Sequence, residues 1–91
     1  MSLRSENLKL IIDHYGVDNQ LRKLNEEIFE LIEAIHKLDN GKSMEDVVEE
    51  FSDCMVLLMQ IKEHYGISNM EINEWFDYKV DRQLKRIEVD K

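Results

Sequence analysis

Glu27 and Glu30 stand three residues apart, and so do Glu50 and Asp53. On a helix that spacing puts both members of a pair on one face, one turn apart. Four hard oxygen donors, with no His or Cys among them, suit Mg²⁺ or Mn²⁺ rather than zinc. Without a cation the same four groups repel one another and their pKa values rise. Asp53 is the sharpest case. Phe51, Cys54, Met55, Val56 and Leu57 surround it, and it is the only charged residue between Glu50 and Lys62. An ionised carboxylate in such company needs a compensating charge, and no Lys or Arg lies near it in sequence. Glu27 and Glu30 alone read as solvated helix acids; the four together read as a metal site.

Helices must position these groups. Gly16, Gly41 and Gly66 each follow an apolar-periodic segment, where glycine serves as a helix stop. Asp18 or Asn19 can cap the segment that follows Gly16, while Ser43-Met-Glu-Asp46 and Ser68-Asn-Met-Glu71 have the form of capping boxes. The pattern predicts four helices, about Leu3–Tyr15, Asn19–Asp39, Ser43–Tyr65 and Asn69–Val89. No stretch alternates at period two for long enough to argue a strand. In the second helix Leu21, Leu24, Ile28, Leu31, Ile35 and Leu38 form one stripe, and Val47, Phe51, Cys54, Leu58, Ile61 and Tyr65 do so in the third. The short connection between them predicts an antiparallel αα-hairpin. Relative to those stripes, Glu27 and Glu50 fall roughly 60° from the centre, and Glu30 and Asp53 roughly 120°. The third helix is also apolar off its stripe, at Val48, Met55, Val56, Leu57 and Met59. Ninety-one residues offer little to cover it, so the fold class expected is an all-α four-helix bundle on a hairpin core, completed by oligomerisation.

Composition narrows the function further. The 12 basic residues against 20 acidic ones leave a net charge of −8, which argues against nucleic acid as a partner. An acidic chain can still bind an anionic substrate through a metal that reverses the local sign. The single cysteine, Cys54, reads as a small buried hydrophobe in a reducing compartment, not half of a disulfide. The apolar run Phe51–Ile61 falls short of the ~20 residues that span a bilayer, and the first ten residues do not form a signal segment. The expectation is a single domain over residues 1–91, cytoplasmic and without a membrane partner.

The string Glu26-Glu27-Ile28-Phe29-Glu30, followed by Glu50-Phe51-Ser52-Asp53, resembles the paired acidic motif of the MazG-like, all-α nucleoside triphosphate pyrophosphohydrolases. The leading Gln20, Lys23-Leu24 and Glu26-Glu27, and the trailing Asp77-Tyr78-Lys79-Val80-Asp81-Arg82, are also similar, so the resemblance runs from about Val17 to Ile87. It implies hydrolysis of a nucleoside triphosphate between the α and β phosphates, giving monophosphate and pyrophosphate. It also implies that Glu27, Glu30, Glu50 and Asp53 hold Mg²⁺, with Mn²⁺ a substitute. Glu26, beside Glu27, becomes a candidate for holding the attacking water or supporting the metal ligands. Lys79 and Arg82, which share a face of the last helix, become phosphate contacts. Lys23 and Arg22 are further candidates for such contacts. One departure stands out: the family often has Asn where this chain has Asp77. The active unit expected is a homodimer or a dimer of dimers.

Other readings compete. Phosphoribosyl-ATP pyrophosphohydrolases are similarly short helical proteins with related acidic motifs, and the Lys79–Arg82 segment favours the MazG-like reading over them. A non-catalytic helical oligomerisation module would need no cation. Glu33-Ala34-Ile35-His36 has a spacing used in di-iron bundles, yet Glu33 and His36 project away from the apolar stripe and read as solvent-exposed. Trp75 and Phe76 could stack a base, though aromatics at helical spacing more often fill a core. The repeated His14-Tyr15-Gly16 and His64-Tyr65-Gly66 read as a shared helix stop rather than paired metal ligands.

Overall fold

The computed structural model describes residues 3–90 and shows four α-helices and, among those residues, no strand. They are α1 (Leu3–Tyr15), α2 (Val17–His36), α3 (Met44–His64) and α4 (Asn69–Asp90), with a short 3-10 turn at Leu38–Asn40 between α2 and α3. None of these helices is long and apolar enough to cross a membrane.

Local chemistry accounts for most of the boundaries. Ser43 and Asp46 form a reciprocal capping box at the start of α3, with the Asp46 N–H donating to Ser43 Oγ at 3.2 Å and the Ser43 N–H donating to Asp46 Oδ2 at 3.0 Å. Ser68 and Glu71 repeat the arrangement before α4. The start of α2 departs from expectation. Gly16, at φ 89°, both donates to Ile12 O and accepts from the Gln20 N–H, so one residue closes α1 and opens α2. No linker remains for Asp18 or Asn19 to cap. Asn19 instead lies inside α2 and donates its side-chain amide to Tyr15 O at 2.7 Å, sealing the end of α1.

α2 and α3 pack as the expected antiparallel hairpin, and α1 lies across them, mainly on α3. Ile12 is fully enclosed, and Ala34, Cys54 and Leu57 complete a small apolar core. The packed faces are turned from the apolar stripes. On α2 the contact side runs through Gln20, Leu24, Glu27, Leu31 and Ala34, while Leu21, Ile28, Ile32 and Ile35 stay exposed. On α3 it runs through Glu50, Cys54, Leu57 and Gln60, while Phe51, Leu58 and Tyr65 stay exposed. At 100° per residue in two antiparallel helices, the two exposed rows fall on the same side of the hairpin, opposite α1. An apolar face of the hairpin is therefore uncovered within one chain.

α4 extends that picture. It buries none of its residues and packs on no other helix to a comparable degree. Trp75 and Phe76 are exposed, so the expectation that they fill a core is not met within one chain. The radius of gyration is 16.4 Å, against about 12 Å for a compact domain of this length. The accessible surface of 7475 Å² exceeds the value typical of a folded monomer of this mass by about 1,900 Å².

Candidate metal centre

The hairpin brings Glu27 from α2 against Glu50 and Asp53 from α3. One carboxylate oxygen from each lies within 4.8 Å of the other two. The register follows from the turned faces: Glu27 and Glu50 sit on the contact sides of their helices, half-buried, and Asp53 lies a turn along at the rim. Asp53 is thus more exposed than its apolar sequence neighbours suggest. Those neighbours project elsewhere around α3, and Glu27 and Glu50, each with one buried oxygen, are the less exposed members.

The electrostatics are unfavourable as they stand. The Oε2 atoms of Glu27 and Glu50 are buried, and neither has a hydrogen-bond partner. Burial pushes both carboxyls above the ordinary glutamate value, and the negative charges of Glu30 and then Asp53 push them further. Glu30 stands outside the three-oxygen group but close enough for its charge to act on both. Burial and the charge of Glu27 likewise raise the Cys54 thiol, which is enclosed and unbonded, as the sequence suggested.

The remaining candidates separate. Lys23 lines a cleft of about 580 Å³ together with Glu27 and Asp53. Glu26 instead lines a separate surface depression with Arg22, Asn25, Phe29 and Glu30. Lys79 and Arg82 ride on α4, where their cations lie 5.8 and 5.9 Å from the rings of Trp75 and Tyr78. One chain does not bring them to the carboxylates. His36 is exposed, and Glu33 pairs with Lys37 in the next turn. His14 and His64 each meet the following tyrosine edge-on at 4.8 Å, two copies of one helix-end geometry.

Sequence reasoning passed over one feature of the site. Gln20 and Gln60 are both buried, and Gln20 Nε2 donates to Gln60 Oε1 at 2.9 Å across the hairpin. Both line the cleft that holds Glu27 and Asp53. The available signal was an amide at core spacing: Gln20, Leu24, Glu27 and Leu31 follow one face of α2, and Gln60 interrupts the apolar run of α3.

Comparison with protein-family models, curated proteins and solved structures finds no match for this chain.

Proposed function

We propose that the chain is a Mg²⁺-dependent hydrolase that converts a nucleoside triphosphate to the monophosphate and pyrophosphate. The observation that carries this reading is the convergence of Glu27, Glu50 and Asp53, with a buried oxygen on each glutamate that accepts no hydrogen bond from outside the acidic cluster. Such oxygens fit a group that brings positive charge, and an all-oxygen donor set fits a hard dication. Glu27, Glu50 and Asp53 would hold it, with Glu30 adding negative charge beside them. A bound Mg²⁺ supplies Lewis acidity toward a phosphoryl oxygen and charge neutralisation for the leaving pyrophosphate. Lys23 then supplies the cation of the cleft itself, toward the substrate's phosphates. Glu26, which lines a surface depression with Glu30, is the candidate for acting on water that the resemblance suggests.

The working unit in this proposal is a homo-oligomer. The uncovered hairpin face, the unpacked α4 and the surplus surface support it. About 1,900 Å² per chain, buried between two copies, falls in the range of obligate dimers. Lys79 and Arg82 reach a carboxylate cluster in this arrangement only through a neighbouring chain.

The test is release of pyrophosphate from a panel of ribo- and deoxynucleoside triphosphates with Mg²⁺, repeated with Asp53→Asn. Hydrolysis is expected for the wild type, with a loss of at least about 100-fold in the variant, larger than the loss of an outer partner. No pyrophosphate from any triphosphate, or unchanged turnover in Asp53→Asn, overturns the proposal.

A further inference from the structure

We infer that the cleft between α1 and the hairpin is a subsite for the uncharged, planar heterocycle of the substrate, and that the Gln20–Gln60 amide pair is its polar reader. The inference rests on the hydrolase reading and names the part of the substrate that the carboxylates do not touch. The cleft is bounded by Ile11 and Tyr15 of α1, by Asn19, Gln20 and Lys23 of α2, and by Val56 and Gln60 beside Asp53 on α3. Its volume of about 580 Å³ lies in the range of small-molecule sites.

The chemistry of the walls selects the ligand. Ile11, Val56 and Leu57 provide an apolar surface, and Tyr15 adds an aromatic ring at its edge. A flat, weakly hydrated ring matches such walls, and a polyphosphate does not, because Lys23 is the one cation among the lining residues. At the other end Glu27 and Asp53 belong to the dication site, so the phosphates lead there. The cleft thus divides by chemistry into a metal-and-phosphate end and a neutral end.

The amide pair marks the neutral end. Gln20 and Gln60 are 6% and 2% exposed, so their orientation is fixed by the packing of two helices rather than by solvent. The hydrogen bond between them uses the amino group of Gln20 and the carbonyl of Gln60. Beyond that bond the pair retains a carbonyl on Gln20 and an amino group on Gln60. Turning both amides exchanges the roles and still leaves one acceptor beside one donor. An adjacent donor and acceptor are what a nucleobase edge presents, and paired amide groups are suited to read it. Because the pair reverses as a unit, it accommodates either order of donor and acceptor. The subsite therefore favours a base over no base, while discriminating weakly between bases.

The experiment separates this subsite from the metal. Nucleosides and nucleoside monophosphates are titrated into the protein in EDTA, with the side-chain amide resonances of Gln20 and Gln60 followed by NMR. The same titrations are run on a Gln20→Met/Gln60→Leu double variant, which replaces both amides and leaves neither buried partner unpaired. Expected are shifts of both glutamine resonances in the wild type and loss of nucleoside binding in the variant. The variant should also show a rise in KM for triphosphates of about 10- to 100-fold, the equivalent of two lost hydrogen bonds, with kcat little changed. Binding of inorganic triphosphate with Mg²⁺ should be unaffected. Nucleosides that leave the two glutamine resonances unmoved overturn the inference even where the double variant does not fold. So does undiminished nucleoside binding by a folded variant. Hydrolysis without nucleoside binding removes the subsite and keeps the hydrolase; nucleoside binding without hydrolysis supports the subsite and removes the hydrolase.

Discussion

Glu27 and Glu50 face each other across the α2–α3 seam with a carboxylate oxygen of each within 4.8 Å, and the Oε2 of each is buried without a partner. Two acids in this relation make the metal-free fold sensitive to pH. Their folded pKa values are raised above the ordinary 4.5, so the folded state holds protons that the unfolded chain has released. The stability these two groups contribute is therefore full below about pH 4.5, the unfolded value, and is lost as pH climbs through the raised folded values. In EDTA the contribution of this pair to the melting temperature should fall across that window. A Glu27→Gln/Glu50→Gln variant should lack that part of the slope. Mg²⁺ or Mn²⁺ requires the ionised forms, so its stabilising effect should grow over the same window and be absent in the variant. Thermal melts against pH, with and without cation, check both signs. A wild-type slope identical to that of the double glutamine variant would count against the electrostatic account.

The acids illustrate how much the sequence reveals and where it stops. Helix number, the hairpin and two capping boxes were legible because glycine stops and Ser-x-x-acid starts act locally. The order of burial among the acids was legible only in part: Glu27 and Glu50 lie nearer the stripes, but the apolar neighbours of Asp53 pointed to an enclosed Asp53, and it stands exposed. The choice of contact face was not legible. Both helices carry more apolar surface than one partner can cover, and periodicity cannot say which part of a broad stripe meets which neighbour. The hairpin closes on the side containing Gln20, Glu27, Ala34, Glu50 and Gln60, and leaves Ile28 and Leu58 outside. That turn encloses the two glutamates and the amide pair, and leaves Asp53 at the rim. The joint at Gly16 was hidden for a different reason: a single glycine serving two helices leaves no spacer for a cap to mark.

Ile12 provides a test of the fold that is separate from the site. Its side chain is fully enclosed where α1 crosses α3, while the carboxylates belong to α2 and α3 alone. Ile12→Ala should reduce unfolding free energy by about 2–5 kcal/mol, the usual range for emptying such a position. The increment in melting temperature from added Mg²⁺ should survive, since the hairpin that carries the acids does not depend on α1 for its register. Denaturant titration gives the first quantity and melts with cation give the second. Loss of the Mg²⁺ increment in a folded variant would show that α1 helps hold the acids in place.

Trp75 reports on the surface that one chain leaves open. It is the only tryptophan, and in the single chain it is 63% exposed on α4, beside Phe76 and Val80. A side chain of that size gains stability from burial at roughly 25 cal/mol per Å², so a second copy seated on α4 removes it from water. Its emission should then be blue-shifted at high protein concentration and move to the red on dilution, in step with a fall in sedimentation coefficient. Phe51→Glu and Leu58→Glu place charges on the uncovered face of the hairpin, not on α4. If one interface includes both surfaces, these substitutions should shift the emission to the red without touching Trp75. Should the sedimentation coefficient fall while the emission stays blue, α4 is covered by its own chain in solution. A red emission at every concentration, with a sedimentation coefficient that still falls on dilution, would mean that the copies meet through the hairpin face alone.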